Sequence, residues 1–269
     1  MMSRIFFTAC AVICLAVAAT ADQMKLAVTT SFHNSGLADV LIPEIKKDLD
    51  LEVQLLVVGT GQAIRLGAAG DVDAILVHSK NSEETFVAEG NATQRTEIMF
   101  NDFVLIGPSS DPVGISKAET VVGAVAKIAK NKALFVSRGD DSGTHKKELA
   151  LWSLANIGAS DRDIAWYKEV GAGMGAALNT ASGLNAYIIS DRASWLKFGN
   201  KGDLKLLYAG DTLLFNQYAY LPVNQAKHDH VNSEQAEVLG NWLVSDRAKN
   251  LINGYKLLGE QLFQFNGSQ

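Results

Sequence analysis

Apolar strand-like segments alternate with helical ones early in this chain, and this alternation restricts the fold more than any other feature. Residues 25–29, 51–58 and 74–77 have the composition of buried strands. Between them, apolar residues recur at helical spacing and predict helices over 36–49 and 62–69. Such an order requires crossovers between parallel strands, so it predicts an α/β fold with mostly parallel sheets flanked by helices.

Beyond a strand predicted over 103–108, the chain repeats this organisation. The later elements are a helix over 121–130, a strand over 133–136, helices over 146–156 and 176–182, strands over 204–208 and 218–222, and an amphipathic helix over 233–245. We expect the strands at 204–208 and 218–222 to lead back to the first set. The sequence therefore predicts two lobes, the first formed by residues 22–105 and 213–269 and the second by residues 106–212.

Three turns rich in hydroxyl groups and glycine follow predicted strands. They are Thr29-Thr30-Ser31, Gly59-Thr60-Gly61 and the octapeptide from Ser137 to Thr144. In an open α/β sheet, ligands bind outside the carboxyl ends of the strands. A helix that begins there presents N–H groups without intrahelical partners and a positive dipole end, which together favour anions. Three such turns at equivalent positions indicate convergence on one anionic ligand between the lobes.

The octapeptide Ser-Arg-Gly-Asp-Asp-Ser-Gly-Thr carries the most chemistry of the three turns. Ser142 and Thr144 supply hydroxyl donors, and the planar guanidinium of Arg138 suits an oxyanion. The same residues also fit a purely structural role, in which Ser142 or Asp141 caps a helix and Arg138 pairs with Asp140. The octapeptide by itself does not decide between these interpretations.

Residues 1–21 are predicted to be a secretory signal peptide. Arg4 supplies the positive end, an uncharged and mostly apolar run follows, and Ala19-Thr20-Ala21 fits a cleavage site. The two cysteines of the chain, Cys10 and Cys14, both lie in this segment, so no disulfide or thiolate metal site is expected in the mature protein. The prediction places the mature protein in the periplasm.

Charge and histidine spacing argue against several classes of function. Loss of the signal peptide removes one basic residue and changes the formal net charge from −5 to −6, which does not favour nucleic-acid binding. The five histidines show no spacing typical of a metal site. His33 follows a candidate turn but is expected to be a plain loop residue, and His228 and His230 are expected in a surface loop. Ser142 and His145 lack the context of a catalytic triad, so no catalytic residue is expected.

A series of short motifs extends in order over nearly the whole mature chain. They include Thr29-Thr30-Ser31, Val58-Gly59-Thr60-Gly61-Gln62-Ala63, Leu76-Val77-His78, Ser137 to Lys147, Gly173-Met174-Gly175 and Gly259-Glu260-Gln261-Leu262-Phe263. By these motifs the chain resembles the periplasmic tungstate-binding proteins of ABC transporters, relatives of the molybdate and phosphate binders. One departure is Phe32-His33, where the family usually has small polar residues.

The resemblance implies a two-lobed periplasmic binding protein of the type II clamshell kind. Such a protein takes a tungstate or molybdate anion between its lobes and delivers it to a membrane permease, without catalysis, cofactor or bound metal, and it is expected to be monomeric. The residues implied to bind the anion through hydroxyl groups, N–H groups or charge are Thr30, Ser31, Thr60, Arg138, Ser142, Gly143 and Thr144. Asp140 and Asp141 are expected to orient Arg138.

Phosphate is the alternative ligand within the same fold. Phosphate binders share an Arg-x-Asp-x-Ser-Gly-Thr pattern, which residues 138–144 match. They also place a carboxylate after an early strand to accept the proton of hydrogen phosphate, whereas His78-Ser79-Lys80 follows the comparable strand here. Tungstate and molybdate offer only acceptor oxygens, so this difference favours them. An oxyanion-sensing module that feeds a membrane receptor is a second alternative.

Overall fold

The computed structural model describes residues 22–140 and 142–268. The predicted signal peptide and Asp141 lie outside these residues. The strands are β1 (Asp22–Thr29), β2 (Leu51–Val58), β3 (Ala74–Val77), β4 (Thr96–Pro108), β5 (Phe135–Ser137), β6 (Tyr167–Glu169), β7 (Tyr187–Asp191), β8 (Leu204–Tyr208), β9 (Phe215–Pro222), β10 (Lys256–Leu257), β11 (Glu260–Gln261) and β12 (Gln264–Phe265). The helices are α1 (Thr30–Ser35), α2 (Leu37–Leu49), α3 (Thr60–Ala69), α4 (Lys80–Ala88), α5 (Val121–Lys130), α6 (Gly143–Leu154), α7 (Met174–Leu184), α8 (Arg192–Lys197), α9 (Ser233–Leu243) and α10 (Asp246–Gly254).

One long sheet runs through the molecule in the order β2-β1-β3-β9-β4-β7-β5-β6. β1 pairs in parallel with β2 and β3, and β5 pairs in parallel with β6 and β7. β9 and β4 run antiparallel to their neighbours and join the two parallel groups. The predicted α/β class, with a sheet flanked by helices, is confirmed.

β4 is shared by two regions of this sheet. Up to Asp102 it pairs with β9, and from Phe103 onward it pairs with β7. We call β1–β3, β9 and the early part of β4 the first region, and the late part of β4 with β5–β8 the second region. β8 does not lead back to the first region as expected. It pairs with the end of β4, on residues 105–108, and only β9 returns.

Each region buries apolar side chains on both faces of its sheet. In β1, Leu26 and Val28 contact a core formed with α2, α9 and α10, whereas Ala27 lies in a core with α3 and α4. This alternation follows from the two-residue period of a strand. The second region repeats the arrangement with α5 and α6 on one face and α7 and α8 on the other. Within the described ranges no helix has the length and apolar character required to cross a bilayer.

Short helices account for most differences from the predicted elements. α1 was not predicted, and it begins directly after Thr29, whose Oγ1 accepts a hydrogen bond from the Phe32 N–H. Gly36 ends it in the left-handed conformation, with φ of 89°, and so separates it from α2. The predicted helix over 233–245 ends at Leu243, and Ser245 caps a separate helix, α10.

Candidate functional site

The ends of β1, β2 and β3 lie side by side at one edge of the first region. The strand register pairs Thr29 with Val58 and Val28 with Leu76. Thr30, Thr60 and His78 therefore follow three adjacent strand ends. Thr30 begins α1 and Thr60 begins α3, so both contribute to first helical turns that have free N–H groups. Gly59 precedes α3 without a side-chain cap, which leaves that helix start open.

The Ser31 hydroxyl is held in a cluster of polar side chains. Its Oγ lies 3.0 Å from Thr29 Oγ1, 3.0 Å from His78 Nε2 and 3.2 Å from the Tyr218 hydroxyl. A serine hydroxyl has one proton to donate and two lone pairs to accept with. The Ser31 hydroxyl is thus already within hydrogen-bonding distance of three protein groups. The Ser31 N–H belongs to the first turn of α1.

The octapeptide fixes Arg138 beside the loop that precedes α7. Arg138 Nε donates to Asp140 Oδ2 and to the Ala172 carbonyl, both at 3.1 Å, and Nη2 also donates to Asp140. These hydrogen bonds leave Nη1 without a partner among the described residues. The side chain is only 16% exposed. The expected orientation of Arg138 by Asp140 is therefore present, while Asp141 lies outside the described residues.

Ser142 caps the start of α6. Its Oγ accepts a hydrogen bond from the His145 N–H at 3.3 Å, and its own N–H donates to Asp140 at 3.2 Å. Burial alone would raise the pKa of Asp140, but hydrogen bonds from Ser142 and Arg138 outweigh burial and lower it. Asp140 therefore stays ionised and ties Arg138 to the helix start. Thr144, in the first turn of α6, is 7% exposed.

The octapeptide approaches the first region where Gly143 meets His78, a residue outside the three predicted turns. A Cβ atom added to Gly143 would lie 2.8 Å from His78 Cε1, a separation that Cβ atoms essentially never show. Gly143 begins α6 in the second region, and His78 follows β3 in the first. The start of α6 thus reaches the first region at the residue that follows β3.

His78 is an uncharged residue in this arrangement. Its ring lies 4.8 Å from the Tyr218 ring, between centroids. Burial is the main reason that the pKa of His78 is lowered to about 4, and the charge of Lys147 acts in the same direction. Hydrogen bonding to the His78 backbone and to Asn216 opposes the shift without reversing it. At neutral pH the imidazole therefore adds no charge to the edge.

Lys147 is a cation near the same edge that sequence reasoning did not select. Its Nζ donates to the carbonyls of Leu213 at 2.8 Å and Phe215 at 3.1 Å, and it lies 5.8 Å from the Phe103 ring centroid. Burial lowers the pKa of Lys147. This lysine links α6 to the segment that enters β9.

A groove of about 490 Å³ opens beside Ser31, between the two regions. Asn34 and Ser35 line it from the first region, and Gly175 and Asp191 are among the lining residues of the second. Lys197 crosses the groove and donates to the Asn34 carbonyl. A space bounded by both regions therefore adjoins the polar cluster around Ser31.

The remaining histidines lie away from the polar cluster. His33 is an exposed residue of α1. His228 Nε2 lies 3.0 Å from the Ala68 carbonyl and His230 Nε2 lies 2.9 Å from the Gly70 carbonyl, so both contact the C-terminal end of α3. Residues 22–140 and 142–268 contain no group of three or more His, Cys, Asp or Glu side chains placed to hold a metal ion.

His78, Tyr218 and Lys147 were missed at the sequence level for different reasons. His78 directly follows β3, so the rule that selected Thr30 and Thr60 also applies to it. Tyr218 comes from β9, whose place between β3 and β4 follows only from the sheet order. Lys147 lies one helical turn beyond the octapeptide, and its contacts depend on how α6 packs.

Comparison with known proteins agrees with this architecture. A model of the PBP superfamily domain matches residues 16–247, so the chain belongs to the PBP superfamily. The tungstate-binding protein TupA of Peptoclostridium acidaminophilum is 44% identical over 248 residues, which cover 91% of this chain and 86% of that protein.

Two solved structures are also similar to this chain. The tungstate-binding protein TupA from Desulfovibrio alaskensis G20 has a TM-score of 0.86 and 42% identity, covering 92% of this chain and all of the other. The tungstate ABC transporter structure from Geobacter sulfurreducens has a TM-score of 0.77 and 41% identity, covering 87% and 98%. Within the PBP superfamily, the chain belongs to the family of TupA tungstate-binding proteins.

Proposed function

We propose that this protein is the substrate-binding component of an ABC transporter and captures tungstate between its two regions. The observation that carries the proposal is the close approach of the α6 start, at Gly143, to His78, which follows β3 and is hydrogen-bonded to Ser31. Donor groups of both regions come together beside this contact. Similarity to tungstate-binding proteins over most of the chain supports the ligand class.

Tungstate suits the donor groups that the strand ends offer. It is a tetrahedral dianion whose oxygens only accept hydrogen bonds, and the turns supply hydroxyl groups and first-turn N–H groups. In the proposed site Thr30, Ser31, Thr60, Ser142, Gly143 and Thr144 donate through one or the other. Phosphate is the weaker candidate because an uncharged His78, and not a carboxylate, follows β3.

Arg138 is proposed to supply the charged contact of the site. Asp140 and the Ala172 carbonyl hold Nε and Nη2 and leave Nη1 to reach the anion. A charge-assisted hydrogen bond of this kind is worth roughly 1.5–3 kcal/mol.

The two regions are proposed to act as lobes that close on the anion. The lobes are those expected from the sequence, residues 22–105 with 213–269 and residues 106–212, and the hinge is placed in β4 and before β9. The closed protein would then present the ligand to a membrane permease. We further propose that it acts in the periplasm as a monomer after removal of residues 1–21, without enzymatic activity.

Titration calorimetry of the ligand-free protein with tungstate, molybdate, sulfate and phosphate tests the function. We expect tungstate to bind most tightly, molybdate to bind comparably or more weakly, and sulfate and phosphate to bind negligibly. Excess phosphate should fail to displace tungstate. Tight binding of sulfate or phosphate alone would contradict the proposal.

Closure is tested separately by small-angle scattering. Saturating tungstate should reduce the radius of gyration and raise the melting temperature in step with the logarithm of free ligand. An unchanged scattering curve at saturation would reject the clamshell motion while leaving the binding result intact.

Arg138→Ala should weaken tungstate binding by roughly 2–4 kcal/mol, or about 30- to 1000-fold, because it removes a charge-assisted contact in a closed cleft. Arg138→Lys should restore part of the affinity, since an ammonium keeps the charge without the planar fork. Calorimetry gives the affinities, and Arg247→Ala serves as the control because it removes an arginine–carboxylate pair between Arg247 of α10 and Glu44 of α2. Wild-type affinity in Arg138→Ala would remove Arg138 from the site.

A further inference from the structure

We propose that His78 is the stop against which the second region closes, and that position 143 must be glycine because α6 comes to rest on the His78 ring. This inference rests on the proposed function and identifies a positioning residue for the same site. It concerns the contact between the two regions and not a direct contact with the anion.

His78 is held in place from several sides. Its Nε2 is hydrogen-bonded to the Ser31 hydroxyl, and its ring packs on that of Tyr218, which is fully buried. The next residue, Ser79, donates its N–H to the buried carboxylate of Glu83, and Arg95 donates to the same carboxylate. The His78 ring is therefore fixed to the body of the first region, as a stop requires.

Gly143 meets this ring with no space for a side chain. The separation of 2.8 Å between an added Cβ and His78 Cε1 is below normal carbon–carbon contact. Gly143 does not have a positive φ, so its backbone conformation is open to other residues. The requirement for glycine thus arises from the approach of His78.

The contact also joins the two halves of the proposed site. His78 bonds Ser31 at the start of α1, and Gly143 is flanked by Ser142 and Thr144 at the start of α6. A stop at this point sets the shortest distance between the donor groups at the start of α6 and those at the start of α1. The width of the anion site is therefore set by an imidazole and a glycine, which makes His78 a determinant of ligand size.

The test compares four proteins by tungstate calorimetry and scattering: wild type, Gly143→Ala, His78→Ala, and the double variant. Gly143→Ala should bind about 5- to 150-fold more weakly, as expected for an overpacked contact, and should contract less on saturation. The double variant should bind more tightly than Gly143→Ala, because removal of the ring frees space for the new methyl group. Gly183→Ala is the matched control, since its added Cβ meets nothing within 4 Å, and it should bind as wild type.

The outcomes separate this inference from the proposed function. If wild type itself fails to bind tungstate, the proposed function is wrong. If wild type binds but Gly143→Ala binds equally well, or the double variant gains nothing over Gly143→Ala, the inference about His78 is wrong. If Gly143→Ala does not fold, the double variant is compared with His78→Ala instead: equal affinity of the two is expected because the ring is absent from both, and a weaker double variant would contradict the inference.

Discussion

The starts of α4 and α6 face each other across the contact between His78 and Gly143, yet they are capped in opposite ways. At α4, the carboxylate of Glu83 turns back and accepts the Ser79 N–H. At α6, an uncharged hydroxyl, that of Ser142, accepts the His145 N–H. Both helices follow a strand of the sheet, and both present a positive dipole end. The two helix starts therefore differ in charge: α4 carries a carboxylate, whereas α6 carries a neutral hydroxyl.

The carboxylate at α4 is part of the structure of the first region. Glu83 is fully buried, and burial raises its pKa although hydrogen bonds from Arg95 and Ser79 act in the opposite direction. A tungstate dianion close to this charge would be repelled. Asp191 caps α8 in the same carboxylate manner, through the Ser194 N–H. The starts of α1, α3 and α6 are open or hydroxyl-capped, which fits the proposal that they bind the anion.

The largest expected effect comes from making α6 resemble α4. Ser142→Asp retains a good helix cap but places a carboxylate beside the proposed anion. Repulsion at about 4 Å should weaken tungstate binding by roughly 4 kcal/mol, or about 1000-fold. Calorimetry measures this loss, and Thr120→Asp at the cap of α5 is the control. Near-normal affinity in Ser142→Asp would mean that the anion does not approach α6.

Removing the carboxylate from α4 should affect folding more than binding. Glu83→Ala removes a buried carboxylate that accepts from Arg95 and from the Ser79 N–H, and it leaves Arg95 paired with Glu97, so the free energy of unfolding should fall by about 3 kcal/mol. Urea unfolding measures the change, and Glu84→Ala, which removes an exposed pair with Lys80, should cost less than about 0.5 kcal/mol. An unchanged free energy of unfolding in Glu83→Ala would show that the carboxylate at α4 does not stabilise the first region.

The pH dependence of the free energy of unfolding tests whether His78 is uncharged in the folded protein. The folded protein keeps His78 neutral down to a pKa of about 4, whereas an unfolded histidine titrates near 6.5. Between these values only the unfolded state takes up the proton, so stability present above pH 6.5 is lost as the pH falls. The loss attributable to His78 should be about 2 kcal/mol at pH 5. Urea unfolding at pH 7 and pH 5 should show a steeper decrease for wild type than for His78→Gln, and equal slopes would contradict the burial of His78.

The smallest effect on tungstate affinity is expected when the Ser142 hydroxyl at the start of α6 is removed without adding a charge. Ser142→Ala removes one hydroxyl donor while the N–H groups of the first turn remain, so tungstate affinity should fall by about 1 kcal/mol, or about fivefold. The contrast with Ser142→Asp in the same titration separates the loss of a donor from the gain of a charge. Equal losses in the two variants would indicate a structural role for Ser142 alone.

The fold class could be predicted because it depends on patterns formed by residues that are close together in the sequence. The alternation over residues 25–77 specified the parallel strands because strand and helix periods differ. It missed α1, a six-residue helix fixed by Thr29 and Gly36 and not by helix propensity. It also expected β8 to lead back to the first region, because the sequence does not show which edge of β4 lacks a partner.

The sequence predicted only those parts of the candidate site whose residues are contiguous in the chain. The turns containing Thr30, Thr60 and Arg138 are short motifs at strand ends, and their role in binding stays a prediction. The environment of His78 depends on Tyr218 and Gly143, which are distant in sequence and approach only through β9 and α6. Helix caps behave similarly: Glu83 and Ser142 look alike as polar residues near helix starts, and only the hydrogen bonds distinguish them.

The position of β9 between β3 and β4 affects the order in which the chain can assemble during synthesis. β9 supplies the partner of both neighbouring strands, so the first region has a gap in its sheet until residue 222 has emerged. The second region is contiguous and has all its strands once Tyr208 is made. The N-terminal strands thus remain without their central neighbour for most of translation, and the region whose strands are made first is the last to have its sheet complete.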